Sequence, residues 1–209
     1  MAAALQSLLE RSPLIWRGGA PAAVARPSVP TGFAQLDRLL PGGGWPGGAL
    51  TELIAEDEGI GEVSLFGPAL ARLSIEDERW IAFVAPPHFL YAPALANLGI
   101  DLARIVLIRP TQPQETLWAA EQTLRSGAAS AVLAWLPAPN ERSLRKLSLA
   151  AETGRAMGVY FPAAQAMRHA TPAALRLRLS TRDGKSLLAI TKRRGGGECA
   201  PVALDLRST

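Results

Sequence analysis

Between residues 49 and 161 one unit recurs: a short apolar run without internal alternation, then a longer stretch with helical spacing. The apolar runs are A-L-T-E-L-I-A (49–55), W-I-A-F-V-A (80–85), R-I-V-L-I-R (104–109), S-A-V-L-A-W-L (130–136) and a short run at 158–161. Helical spacing fills 61–73, 90–98, 114–126 and 141–156; in the third of these, Leu117, Ala120, Glu121 and Leu124 share one face. A strand that is apolar on both sides is buried on both sides, and strands separated by helices run parallel. The expected fold is therefore an α/β core, a mainly parallel sheet covered by helices on both faces.

The flanks read differently. The spacing of residues 1–12 predicts a short amphipathic helix, with Leu5, Leu8 and Leu9 on one side. P-L-I-W-R-G-G-A-P-A-A-V-A-R-P-S-V-P then reads as an extended arm, in which Leu14, Ile15, Trp16 and Arg17 are expected to dock on protein, either this domain or a neighbour. T-G-F-A-Q-L-D-R-L-L is a short helix with Thr31 as its N-cap. Near the end, A-L-R-L-R-L-S and S-L-L-A-I-T-K-R flank the turn R-D-G-K, and their period-two alternation marks an antiparallel hairpin. A last strand, P-V-A-L-D-L, follows G-G-G. The expected division is an N-terminal helix and arm (1–28), a core (29–194) and a C-terminal loop and strand (195–209).

A chain of 209 residues hides roughly 70 to 75% of its unfolded surface, so a real core is available. Its apolar runs reach only about seven residues, too short to span a bilayer, and its start lacks a secretory pattern. Cys199 is the sole cysteine and His88 and His169 the only histidines, which argues against a disulfide or a metal centre and for a reducing cytoplasm. Cys199 reads as a free thiol, His88 as a packed loop residue, and Trp80, Trp118 and Trp135 as core. Ser64 and Ser126 have no His–Asp company. Charge is polarised: residues 1–100 carry 6 Lys+Arg against 10 Asp+Glu, residues 101–209 carry 16 against 8. Such polarity can steer an anionic partner.

The loop A-E-D-E-G-I-G-E-V-S-L, from residue 55, joins a strand to a helix, where many α/β proteins cradle a phosphate. A functional cradle of the form G-x-x-x-x-G-K-[ST] needs glycines, a lysine and a hydroxyl. With Gly61 on the second glycine, Glu56 takes the first, Glu62 the lysine and Val63 the hydroxyl. Moving the register to Gly59 puts Ile60 at the lysine. Each like-charge contact at about 4 Å costs roughly 4 kcal/mol at an effective dielectric of 20. The loop opposes nucleotide binding, and no cofactor is expected.

P-T-G-F-A-Q-L-D-R-L-L-P-G-G-G-W-P-G-G-A-L-T-E-L-I and the "L-G-I-D" step after A-P-P-H resemble the RecA core, over about residues 30 to 194. On that register the Walker B acid falls at Trp135 and the water-activating glutamate at Pro87. W-R-G, L-P-G-G-G-W-P-G-G-A-L-T-E-L, G-I-G-E, A-P-P-H, L-W-A-A-E-Q-T-L-R-S-G and K-R-R-G-G-G are together similar to the ImuA family, SOS-induced accessory factors of translesion synthesis once grouped with SulA-like proteins. That resemblance implies a RecA-like fold without catalysis. It implies an adaptor partnered by an ImuB-like Y-family polymerase homologue, an error-prone replicative-type polymerase and the RecA filament, nucleoid-associated after DNA damage. Arg142, Arg145, Lys146, Arg168, Lys192, Arg193 and Arg194 are then candidate contacts for DNA, weak and sequence-independent, or for an acidic partner. Two alternatives stand beside it: a SulA-like division inhibitor that binds FtsZ, and a residual ATPase, which the loop chemistry opposes.

Overall fold

The computed structural model describes residues 27–136, 139–163, 171–194 and 196–206. In chain order the elements are β1 (Ser28–Val29), α1 (Ala34–Asp37), β2 (Trp45–Pro46), β3 (Ala49–Ala55), α2 (Glu62–Glu76), β4 (Trp80–Val84) and α3 (Ala92–Asn97). A 3-10 turn (Leu102–Arg104) leads into β5 (Ile105–Ile108), followed by α4 (Pro113–Arg125), β6 (Ala129–Trp135), α5 (Glu141–Gly154), β7 (Met157–Phe161), β8 (Leu175–Arg182), β9 (Lys185–Arg193) and β10 (Val202–Leu204). Eight strands form one sheet in the order β10-β9-β8-β3-β7-β6-β4-β5. From β8 to β5 every neighbour pair is parallel, and β9 and β10 run antiparallel. The fold is thus mixed α/β with a mainly parallel sheet.

Each central strand sends alternate side chains to two separate cores, which is why its sequence is apolar throughout. On one face Leu53, Ile81, Phe83, Leu133 and Val159 meet Leu65, Phe66 and Leu70 of α2. On the other, Leu50, Ala82, Val84, Val132 and Tyr160 meet Ala120 and Leu124 of α4 and Leu147, Ala150 and Ala151 of α5. The alanines let α4 and α5 lie close together. A Cβ at Gly154 would stand 1.9 Å from the Leu124 carbonyl oxygen, so this contact admits only glycine.

Helix ends follow local chemistry. Glu115 and Gln112 form a capping box on α4, and the Asn140 side chain accepts a 2.8 Å hydrogen bond from the Ser143 amide to start α5. Arg155, left-handed at φ 52°, ends α5 two residues before β7. Thr31 does not cap α1. Phe33 holds that position, and the Thr31 hydroxyl accepts from the Phe33 amide at 3.0 Å while the Asp37 carboxylate accepts from the Thr31 amide. The expected hairpin forms, with β8 antiparallel to β9 across the R-D-G-K turn. Its first strand, β8, also pairs in parallel with β3, which joins the hairpin to the parallel core.

Candidate functional site

At the carboxyl end of β3 the chain passes through residues 56–61 into α2. Gly61 enters the helix at φ 107°, with its α-carbon facing Leu206. Glu62, in the first turn, folds its side chain back over the loop. Its carboxylate accepts hydrogen bonds from the Gly59 amide at 3.0 Å and the Gly61 amide at 3.1 Å. A helix N-terminus favours such a negative charge. The amides that an external anion would use are therefore held by the chain itself.

The other acids in the loop are also engaged. Glu56 pairs with Arg178 of β8 at 2.5 Å, which ties the loop to the C-terminal hairpin. Glu58 meets His88 at 2.9 Å, with both side chains about three-quarters exposed. His88 is therefore a surface partner of this loop rather than a packed residue. Asp57 makes no ion pair among the described residues. Val63 and Ile60 pack against the core. Trp135 is half-buried and stacks on Phe161 at 4.4 Å and on Phe83 at 6.4 Å. Pro87 is exposed in the neighbouring loop.

That neighbouring loop, between β4 and α3, carries what the sequence reading missed. Ala85 sits at φ 50° ahead of Pro86 and Pro87, a backbone state that non-glycine residues rarely adopt. Beyond the prolines, Leu90 turns inward onto the core while Phe89 and Tyr91 point out, 85% and 71% exposed. The Arg109 guanidinium lies 4.2 Å from the centre of the Phe89 ring and donates to the His88 carbonyl at 3.3 Å. The result is an exposed Phe89 braced by a cation, two positions from exposed Tyr91, and linked through His88–Glu58 to the loop before α2. The out–in–out pattern F-L-Y between prolines was the available signal.

The basic candidates do not form one patch. Arg142, Arg145 and Lys146 are exposed on α5, with Arg145 paired to Glu141 at 2.6 Å. Strand alternation sends Lys192 and Arg193 to opposite faces of the sheet. Lys192 donates to the Thr171 carbonyl at 2.5 Å beside Arg176, while Arg193 donates to the Leu39 carbonyl beside α1. Arg194 is exposed. Arg168, together with the arm residues Leu14, Ile15, Trp16 and Arg17, lies outside the described residues. Trp80 and Trp118, expected in the core, are 43% and 65% exposed.

A second unforeseen feature is internal. Glu52, 2% exposed, receives two hydrogen bonds from Arg176, at 2.6 and 3.1 Å. Nearby the Tyr160 hydroxyl lies 3.0 Å from Thr171 Oγ1. Burial pushes the Tyr160 phenol well above its ordinary value, and partial burial with the Arg176 charge pulls Lys192 below its own. Among the described residues no cluster of three or more His, Cys, Asp or Glu could hold a metal ion, and no helix is long and apolar enough to cross a membrane.

Comparison with known proteins corrects the family resemblance. A family model described as "Cell division inhibitor SulA" matches residues 48–158. Proteins named cell division inhibitor SulA from Edwardsiella piscicida and Serratia marcescens are 33% and 32% identical over 97 and 111 residues, 46% and 53% of this chain. The chain spans 58% and 66% of those two relatives. The crystal structure of SulA from Pseudomonas aeruginosa aligns at 28% identity and TM-score 0.46, over 54% of this chain and 97% of that one. The ImuA resemblance is therefore replaced. The partners it implied (the ImuB-like and replicative-type polymerases, the RecA filament and DNA) go with it, since the matched family is described by division inhibition and not by translesion synthesis.

Proposed function

The chain belongs to the SulA family of cell division inhibitors, and on that footing we propose that it blocks division without catalysis, by binding the division protein FtsZ. The observation that carries the choice of surface is the exposure of Phe89 and Tyr91 at the carboxyl edge of the sheet, with Arg109 braced against the Phe89 ring. Aromatic residues fixed at the centre of a patch and flanked by arginine dominate protein–protein binding energy. We read the core as a RecA-like one whose nucleotide site has lapsed. Supporting this are Glu62 on the loop amides, Val63 packed inward at the hydroxyl position, and Trp135 stacked where a magnesium-binding acid would stand.

The test is FtsZ polymerisation, followed by light scattering and sedimentation, with the purified full chain added at up to stoichiometric amounts. The expected result is loss of polymer. Phe89→Ala and Tyr91→Ala should each weaken inhibition about 30-fold, the effect of losing roughly 2 kcal/mol at a hot spot. FtsZ assembly indifferent to the unaltered chain would sink the division reading. Full potency in both variants would move the surface elsewhere.

A further inference from the structure

A groove of about 500 Å³ runs between α1 and the segment leading into β10, lined by Gln35, Arg38, Leu39, Cys199, Pro201 and Val202. Leu39, Cys199 and Val202 are only half-buried there, although all three pack against the main core. The groove is rigidly built. Gln35 Nε2 donates to the Ala203 carbonyl at 2.7 Å. Arg193 spans the two walls, donating through Nη1 to the Leu39 carbonyl and through Nε to the Gly197 carbonyl at 3.2 Å. This is a preformed apolar concavity, of the size that accepts a few large side chains.

The point where the described chain begins supplies the occupant. Pro27 is fixed by the Gly47 amide at 2.8 Å, and the Ser28 hydroxyl donates to the Gly42 carbonyl at 2.6 Å. Gly42 lies three positions beyond Leu39, which forms a wall of the groove. Upstream, residues 17–26 separate the apolar triplet Leu14, Ile15 and Trp16 from Pro27. Ten residues span at most about 33–36 Å, and R-G-G-A-P offers a place to turn back. That span exceeds the three-residue step from Gly42 to Leu39. We propose that Leu14, Ile15 and Trp16 of the same chain fill this groove, closing the core over Leu39 and Val202. This proposal is independent of the FtsZ reading, because the groove and the Phe89 loop are built from different segments.

Cys199, the sole cysteine, lines the groove and reports on its occupancy. The experiment follows labelling of Cys199 by a charged maleimide in the full chain at low concentration. The unaltered chain should react slowly. A full-chain variant with Ile15→Ser and Trp16→Ser should react at least about 10-fold faster at an unchanged circular dichroism spectrum. In a second arm, Trp16→Cys is oxidised with copper-phenanthroline and should give an intramolecular disulfide to Cys199, which Ala3→Cys should not. Equal labelling rates in the two chains overturn the proposal. So does protection that grows with protein concentration, or a disulfide found only between molecules, either of which would assign the groove to a second copy.

Discussion

Arg176→Met removes the guanidinium paired with Glu52 and leaves a carboxylate that is 2% exposed, whose other cross-strand neighbour is Tyr160. Breaking a buried ion pair from one side typically costs about 3–5 kcal/mol, because the remaining charge stays desolvated. The two partners are not equivalent here. Arg176 keeps 15% of its side-chain surface, so after Glu52→Gln its guanidinium can still reach water, and the amide can still accept a hydrogen bond from it. The expectation is about 4 kcal/mol for Arg176→Met and about half of that for Glu52→Gln. In urea, at a slope of about 2.5 kcal/mol per molar, these correspond to midpoint shifts of about 1.6 M and 0.8 M. Tryptophan fluorescence follows the transition, and the double variant Glu52→Gln/Arg176→Met should fall near the Glu52→Gln value. A shift under about 0.4 M for Arg176→Met, or a larger loss for Glu52→Gln, would refute the reasoning that burial of the carboxylate dominates.

Gly61→Ala places a Cβ at φ 107° and 2.8 Å from Leu206 Cδ1, and should lower stability by about 1–3 kcal/mol, read as a drop in thermal midpoint. Glu62→Ala leaves the Gly59 and Gly61 amides without their acceptor and should cost about 1 kcal/mol, while magnesium-ATP should not raise the melting temperature of the unaltered chain. Hydrogen bonding to Arg79 holds the Asp77 carboxyl below its ordinary value. The stability it contributes is therefore present above the unfolded value of about 3.9 and is lost as pH falls through the folded one. Acid titration of Asp77→Asn should accordingly show a shallower loss of stability below about pH 4 than the unaltered chain.

The sheet was legible because double-faced burial leaves a mark that single-faced burial does not. A-L-T-E-L-I-A and S-A-V-L-A-W-L lie within one residue of β3 and β6, since both cores demand apolar residues along their length. Helix spacing was equally clear and carried more than was drawn from it. Ala120 and Leu124 face the core, and Trp118 lies on the other side of α4, exposed for that reason. Glu52 was illegible. A charge in a central strand can be paired only by knowing which strand lies beside it, and Arg176 is 124 positions away. The mistaken family has a physical explanation too. The motif G-G-G-W-P-G-G-A-L shapes the entrance to the sheet: Trp45 is fully buried against Phe66 at 4.7 Å, and Gly44 packs on the Val29 carbonyl. Such residues shape the packing of the sheet entrance and say little about a partner.

The filled cradle and the exposed aromatic loop belong to one argument. An amide pair pointing out of a helix N-terminus needs an acceptor, and a loop that depends on a bound anion for it is ordered only when the anion is present. Glu62 supplies the acceptor internally, and Glu56 fastens the same loop to β8 through Arg178. The loop therefore holds its shape without a ligand, and Glu58 extends that fixed shape to His88, whose carbonyl receives Arg109. Arg109 in turn braces Phe89. Each contact on the exposed side is weak by itself, as surface pairs are, but together they restrict the rotamers of a surface that is otherwise free to move. Restriction before encounter lowers the entropy cost of association. On the proposed reading, a carboxyl edge that waits on no nucleotide is ready to bind whenever the chain is present. Glu62 keeps the amides of this edge occupied, and Glu58 of the same loop reaches the segment that carries Phe89.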